Sequence, residues 1–155
     1  MARITLSSID ADPYYRMLGN RPEILAAWAD LDKAMLGASS KVSVDVKEQA
    51  RRALAQNVGC AFCATVGGKP SNGHSDPRTS LAVALANQIA TDYTQIDDST
   101  FEALRTQFSN EEIVELLAWL CFKYGSNLLG ALVKLDPATS DEMVGYEKFI
   151  HSQAA

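Results

Sequence analysis

The 155-residue chain is poor in cysteine, in histidine and in basic charge. It holds 3 Cys and 2 His, and its 14 Lys and Arg face 19 Asp and Glu, a formal net charge of −5. No basic excess is present to neutralise phosphates, which argues against a nucleic-acid binder. Three cysteines are too few and too uneven for a secreted disulfide framework. With 9 Gly and 5 Pro, a collagenous or Pro/Gly-rich disordered chain is excluded. No uninterrupted apolar stretch approaches the roughly 20 residues of a membrane span, so no membrane partner is expected. The first fifteen residues hold no long apolar run after their basic residue, so no signal peptide is expected. The expected location is a reducing cytoplasm.

What is present fits one globular domain over residues 1–155, at 47% hydrophobic and 21% charged. That length buries a full core without metal or disulfide staples. Helix signals follow one another along the chain. Asn20-Arg21-Pro22-Glu23 opens a helix through Ile24, Leu25, Trp28, Leu31, Met35 and Leu36, which Gly37 ends. Ser43 caps a second over about 44–57, with Val46, Ala50, Ala53 and Leu54 inward and Lys47, Gln49 and Arg51 outward. After Asn57-Val58-Gly59, a short helix covers Cys60 to Val66. Residues 67–77 are dense in Gly, Pro, Asn and Ser and read as a loop. An Ala-rich helix runs from about Arg78 to Asp92. Capping boxes at Ser99–Glu102 and Ser109–Glu112 open a short helix to about 108 and the longest one, about 110–133. The apolar face of the longest is broad enough to predict burial on most sides, centrally or at a subunit contact. A final short helix covers about 139–151. Val42, Val44 and Val46 alternate as a strand does, but Ser43 competes as a cap. The fold class is all-α, with about six to eight helices.

Cys60 and Cys63 form a C-x-x-C. Residues i and i+3 of a helix share a face, with β-carbons about 5–6 Å apart, and a small adjustment reaches disulfide distance. The ring is tiny, so a crosslink there stabilises less than the roughly 3 kcal/mol of a 15-residue loop. Reversible thiol chemistry explains the pair better than fold stability. A position in the first turn of a helix also favours the thiolate. Two buried small apolar side chains are the plainer alternative. Zinc needs more ligands than the two cysteines with His74 and His151 offer, and neither metal nor cofactor is expected. Glu48 lies twelve positions before Cys60. It can act as a base towards the thiols, or pair with Arg51 and Arg52 at i+3 and i+4.

The pattern of Glu48, eleven intervening residues and Cys60-Ala-Phe-Cys63, with an Ala-rich helix and a long polar-capped helix after it, resembles the alkylhydroperoxidase D-like group. That group belongs to the carboxymuconolactone decarboxylase superfamily. The resemblance spans about Pro22 to Leu135. It implies an all-helical bundle and a homo-oligomer, such as a dimer, trimer or hexamer. It implies that Cys63 attacks a small hydroperoxide or other electrophile, that Cys60 resolves the sulfenic acid, and that Glu48 is the relay base. A dithiol protein or lipoyl-type donor is the implied reductant. The group's usual His, four residues after the second cysteine, is Gly67 here. His74, in the loop, is a candidate substitute relay.

Two other functions stay open: a redox-sensing or binding oligomer without turnover, which Gly67 favours, and lactone decarboxylation, which has no need of a dithiol. Cys121 is expected in the core. Tyr124 and Asn127 can reach a pocket near the thiols, but a polar tip satisfied inside the core is the expectation for both. Trp28 and Trp119 read as core or interface anchors, Phe62 as packing beside the cysteines, and His151 as incidental.

Overall fold

The computed structural model describes residues 1–73 and 75–154. His74 therefore lies outside the described residues. Among those described there are eight α-helices, one 3-10 turn and no strand. The all-α expectation holds.

Local chemistry accounts for most helix starts. Helix α1, Pro13–Leu18, has Pro at its first position, and the Asp12 carboxylate accepts from the Tyr14 and Tyr15 amides. Helix α2, Pro22–Leu36, starts without a side-chain cap. Its Pro22 has no amide hydrogen to satisfy, and Asn20, the expected cap, donates instead to the Met17 and Thr5 carbonyls. Helix α3, Val44–Val58, is capped by Ser43, so the cap prevails over the alternation. It ends at Gly59, whose φ of 87° is left-handed and suits glycine. Helix α4, Ala61–Val66, follows directly. Asp76 caps helix α5, Pro77–Asp92, which a 3-10 turn at Tyr93–Gln95 closes. Helix α6, Asp98–Arg105, is capped by Asp97 rather than by the expected Ser99 box. Helix α7, Asn110–Val133, has the expected Ser109–Glu112 box. Helix α8, Ser140–Ala154, closes the described chain.

Helix α3 is central and packs against α5 and α7. The larger core cluster joins Val46, Ala50, Leu54, Leu85, Leu104, Leu116 and Trp119. A smaller cluster holds Met17, Leu18, Phe62, Val66, Val133 and Leu135 around the two cysteines.

Three expectations about burial also need correction. Lys47 and Arg51, expected to face outward, are buried, because each meets a carboxylate inside the fold. Cys121, expected in the core, is exposed. Of the two alternatives for helix α7, central burial does not hold within one chain: Val114, Ala118, Cys121, Gly125, Leu128 and Leu132 form an exposed stripe along it, which leaves the subunit contact. Helix α7 has 24 residues and a mean hydropathy of 1.4 in its most apolar window, long and apolar enough to cross a membrane by those measures. Its Leu116, Trp119 and Leu120 are packed in the core, and its Glu115 and Lys123 are in ion pairs. One face of α7 is thus part of the core and the opposite face is exposed.

Candidate functional site around Cys60 and Cys63

Gly59 turns the chain sharply out of α3, and Cys60 becomes the N-cap of α4. Cys63 sits one turn on, with the Cα atoms 5.2 Å apart and the sulfurs joined as a disulfide. The Cys60 Sγ accepts a hydrogen bond from the Cys63 amide at 3.1 Å. Helix α4 has only six residues, so this bond, more than any summed dipole, is the local stabiliser of charge on Cys60. Both cysteines are buried. The underside of the pair is closed by α7. A Cβ on Gly130 would lie 2.6 Å from the Cys60 sulfur and 3.2 Å from that of Cys63. Glycine lets the helix backbone pass that close.

On the other side Cys63 lines a cavity of about 550 Å³ walled by α1, α2, α3, α4, α7 and α8. Cys60 is not in its wall, so the two cysteines are inequivalent: Cys63 borders the cavity and Cys60 does not. Phe62, Trp28, Trp119, Phe149 and Ile150 supply apolar wall. Trp28 stacks at a tilt on Phe122, with centroids 5.0 Å apart. Lys123 crosses the wall to Asp32 at 2.5 Å, and its ammonium lies 4.5 Å from the Trp119 ring centre. Burial pulls the Lys123 pKa below its ordinary value, against the attraction of Asp32. Tyr14 donates to the Ser126 carbonyl and Tyr15 to Asp32.

Glu48 is 3% exposed and fully engaged. Arg51 grips it with two bonds of 2.8 Å, Arg52 adds one of 2.9 Å, and the Tyr146 hydroxyl donates at 2.8 Å. Burial alone would raise the Glu48 pKa. The charge of Arg51 and the bonds from Arg51, Arg52 and Tyr146 outweigh it, and the carboxyl sits below its ordinary value. Neither cysteine is among its hydrogen-bond partners. Arg51 reaches further, donating from Nη1 to the Cys63 carbonyl at 3.2 Å and lining the cavity beside Cys63. A carboxylate so held is a weak proton acceptor, and the cation next to the thiols is Arg51.

Position 67 explains itself against this network. A Cβ on Gly67 would stand 1.9 Å from Arg51 Nη2 and 2.7 Å from Glu48 Oε1. The guanidinium fills the space that a side chain at 67 would enter. Where the resemblance expects an imidazole, this chain has arginine.

Sequence reasoning paired Glu48 with Arg51 and Arg52 as one alternative, and that pairing is present. It missed Tyr146 and the cavity-facing role of Arg51. Tyr146 arrives from α8, 98 positions away, and no local spacing signals it. Asn127 was expected to be satisfied in the core. It is buried in the cavity wall, and its Nδ2 has no partner. Tyr124 packs on the larger core cluster. Trp119 is in the core, Trp28 is half-buried against the smaller cluster, and His151 is exposed. Among the described residues no group of three or more His, Cys, Asp or Glu side chains could hold a metal ion. In comparisons with known proteins, no family model matches the chain and no curated protein matches it, so its chemistry is read from the site alone.

Proposed function

We propose that the protein is a dithiol–disulfide oxidoreductase of the alkylhydroperoxidase D-like kind. One observation carries the reading: a Cys60–Cys63 pair within bonding distance, with Cys63 alone bordering a cavity. In the reduced form the Cys63 thiolate attacks the distal oxygen of a hydroperoxide, whose O–O bond breaks. The products are a Cys63 sulfenic acid and, after proton uptake, an alcohol. The Cys60 thiol then attacks the sulfenic sulfur, forming the disulfide and releasing water. An external dithiol reduces the disulfide by exchange and leaves as its own disulfide. Arg51, donating to the Cys63 carbonyl, supports negative charge at Cys63. Glu48 holds Arg51 in place and is a positioning residue in this scheme.

The test is steady-state reduction of an organic hydroperoxide with a dithiol reductant. Wild-type protein turns over repeatedly. Cys63→Ser loses all turnover, and Cys60→Ser, given peroxide without reductant, stops at one sulfenic acid per chain and forms no internal disulfide. Full turnover by both serine variants sinks the reading.

A second reading is a redox sensor without turnover. The occupied Glu48 carboxylate favours it, since Glu48 is held by Arg51, Arg52 and Tyr146 and neither cysteine is among its hydrogen-bond partners. One disulfide formed per chain, with no further peroxide consumed in excess dithiol, selects the sensor. In either case the proposed partner is a second copy of this chain, through the exposed stripe of α7.

A further inference from the structure

The cavity that Cys63 borders has a volume of about 550 Å³. That is far more than a peroxide group fills, and it lies within the range of sites that enclose drug-sized organic ligands. Most of the surface the cavity presents is carbon. Trp28, Phe62, Trp119 and Phe149 bring four aromatic side chains to its wall, with Val66 and Ile150 beside them. Trp28 is half-buried and Phe149 is 40% exposed, so apolar surface there is still open to be covered.

The charges in the wall restrict what can cover it. Lys123 is held by Asp32, and Arg51 by Glu48. Each cation of the wall thus has its carboxylate, and an anion finds no free counter-charge. The acidic groups are little better for a cation. Asp12 accepts from the Tyr14 and Tyr15 amides, and Glu142 from the Thr139 amide. Asp141 is exposed, where water and salt screen it. An ion carried against carbon surface loses hydration that these committed groups do not replace.

The position of the cavity gives its occupant a consequence. Cys63 is 6% exposed and borders the cavity, while Cys60 is 1% exposed and does not. On the α7 side the backbone at Gly130 passes too close to both sulfurs to admit even a Cβ. Thiol–disulfide exchange requires an attacking thiolate to reach one of the two sulfurs. The cavity side of Cys63 is where the structure leaves room for that approach.

We propose that this cavity binds a neutral, apolar organic molecule of one or two aromatic rings, and that the occupant shields Cys63 from external thiols. Occupancy then gates the disulfide. The proposal rests on disulfide exchange, which belongs to the reading above, but on no peroxide turnover, so it applies to an enzyme and to a sensor alike.

The experiment uses the oxidised full chain, with Nile red as a neutral fluorescent reporter. Three competitors share two phenyl rings on one carbon and differ in charge: diphenylmethane, diphenylacetate and diphenylmethylammonium. Diphenylmethane is expected to displace the dye at about tenfold lower concentration than either ion, since the ions lose hydration on entry. Trp28→Ala and Phe149→Ala are each expected to weaken its binding about fivefold, the worth of one aromatic contact, with the helical circular-dichroism spectrum kept. Dithiothreitol reduces the Cys60–Cys63 disulfide and becomes a cyclic disulfide itself. With diphenylmethane at ten times its dissociation constant, that reduction is expected to slow about tenfold, as the empty fraction falls. Three outcomes overturn the proposal. Either ion displaces the dye as well as diphenylmethane does. Both alanine variants bind as the wild type does, which puts the ligand on the α7 stripe instead. Or saturating diphenylmethane leaves the reduction rate unchanged. A chain that fails to turn over peroxide alters none of these readouts, so the two readings fail separately.

Discussion

Lys47 has no exposed surface, and its ammonium is satisfied by three acceptors: the Met35 carbonyl, Ser40 Oγ and Glu115 Oε1. The same Glu115 carboxylate accepts from the Lys41 and Val42 amides, so it fixes the α2–α3 connection as well as the cation. The two halves of this pair are unequal. Replacing Glu115 by Gln leaves a buried ammonium short of its counter-charge and is expected to cost about 3 kcal/mol in urea denaturation at pH 7. Lys47→Met removes the buried charge and fills the same space, so it is expected to cost less. Burial opposes ionisation of Glu115. The bonds from Lys47, Ser40 and the two amides outweigh it and bring its pKa from 4.5 down to about 2. A depressed folded-state pKa adds stability that is complete above the unfolded value and lost as pH falls through the folded one. The gap between wild type and Glu115→Gln should therefore be full at pH 7, narrow below about 4.5, and be nearly gone near 2. A gap that holds constant down to pH 2.5 shows that the carboxylate charge contributes nothing.

At the scale of single elements, the approach of α7 to the disulfide is set by Gly130. Helix propensity alone says that Gly130→Ala stabilises a helix interior by about 1 kcal/mol. The geometry says the opposite, since the new methyl carbon would lie 2.6 Å from a sulfur that the disulfide holds in place. Overpacking of that kind costs about 1–3 kcal/mol. Gly130→Ala is expected to lower the melting temperature of the oxidised protein, and a rise rules out the close approach. This contact also marks where sequence reading stopped. The Ser43 cap, the Ser109–Glu112 box and the C-x-x-C were legible because each is written within a few residues, and the structure has them at those positions. Helix α1 was not read, although Asp12 followed by Pro13 is the kind of cap-then-proline start that was read at Asn20-Arg21-Pro22. Arg51 and Lys47 looked solvent-facing because a charged residue at helical spacing normally is. Their burial depends on Glu48 in the first case and Glu115, 68 positions away, in the second. The cavity could not be read at all, since its wall is assembled from six helices that meet only in the folded chain.

On the scale of the whole molecule, the exposed stripe of α7 is the feature without a partner. Val114, Ala118, Cys121, Gly125, Leu128 and Leu132 recur at alternating spacings of four and three, the pattern of a helix seam. Val114 is 66% exposed, Leu132 59% and Leu128 41%, and no charged residue interrupts the series. The small residues at its centre allow two helix backbones to approach closely. A two-fold pair needs one self-complementary patch, and this stripe, centred near the middle of α7, meets that requirement when two copies run antiparallel. The cysteine pair and the cavity lie on the opposite, buried side of the helix, so pairing leaves both open to ligand. Sedimentation equilibrium of the wild-type chain is expected to give a dimer or a higher multiple. Leu128→Glu places a carboxylate in the seam, where pairing would bury it against its symmetry mate, and is expected to shift the mass to that of one chain. Because Leu128 touches solvent in the isolated fold, the same variant should keep its monomer fold, read as an unchanged helical circular-dichroism spectrum. A wild-type protein that sediments as a monomer at high micromolar concentration removes the seam from consideration and leaves the stripe as bare surface.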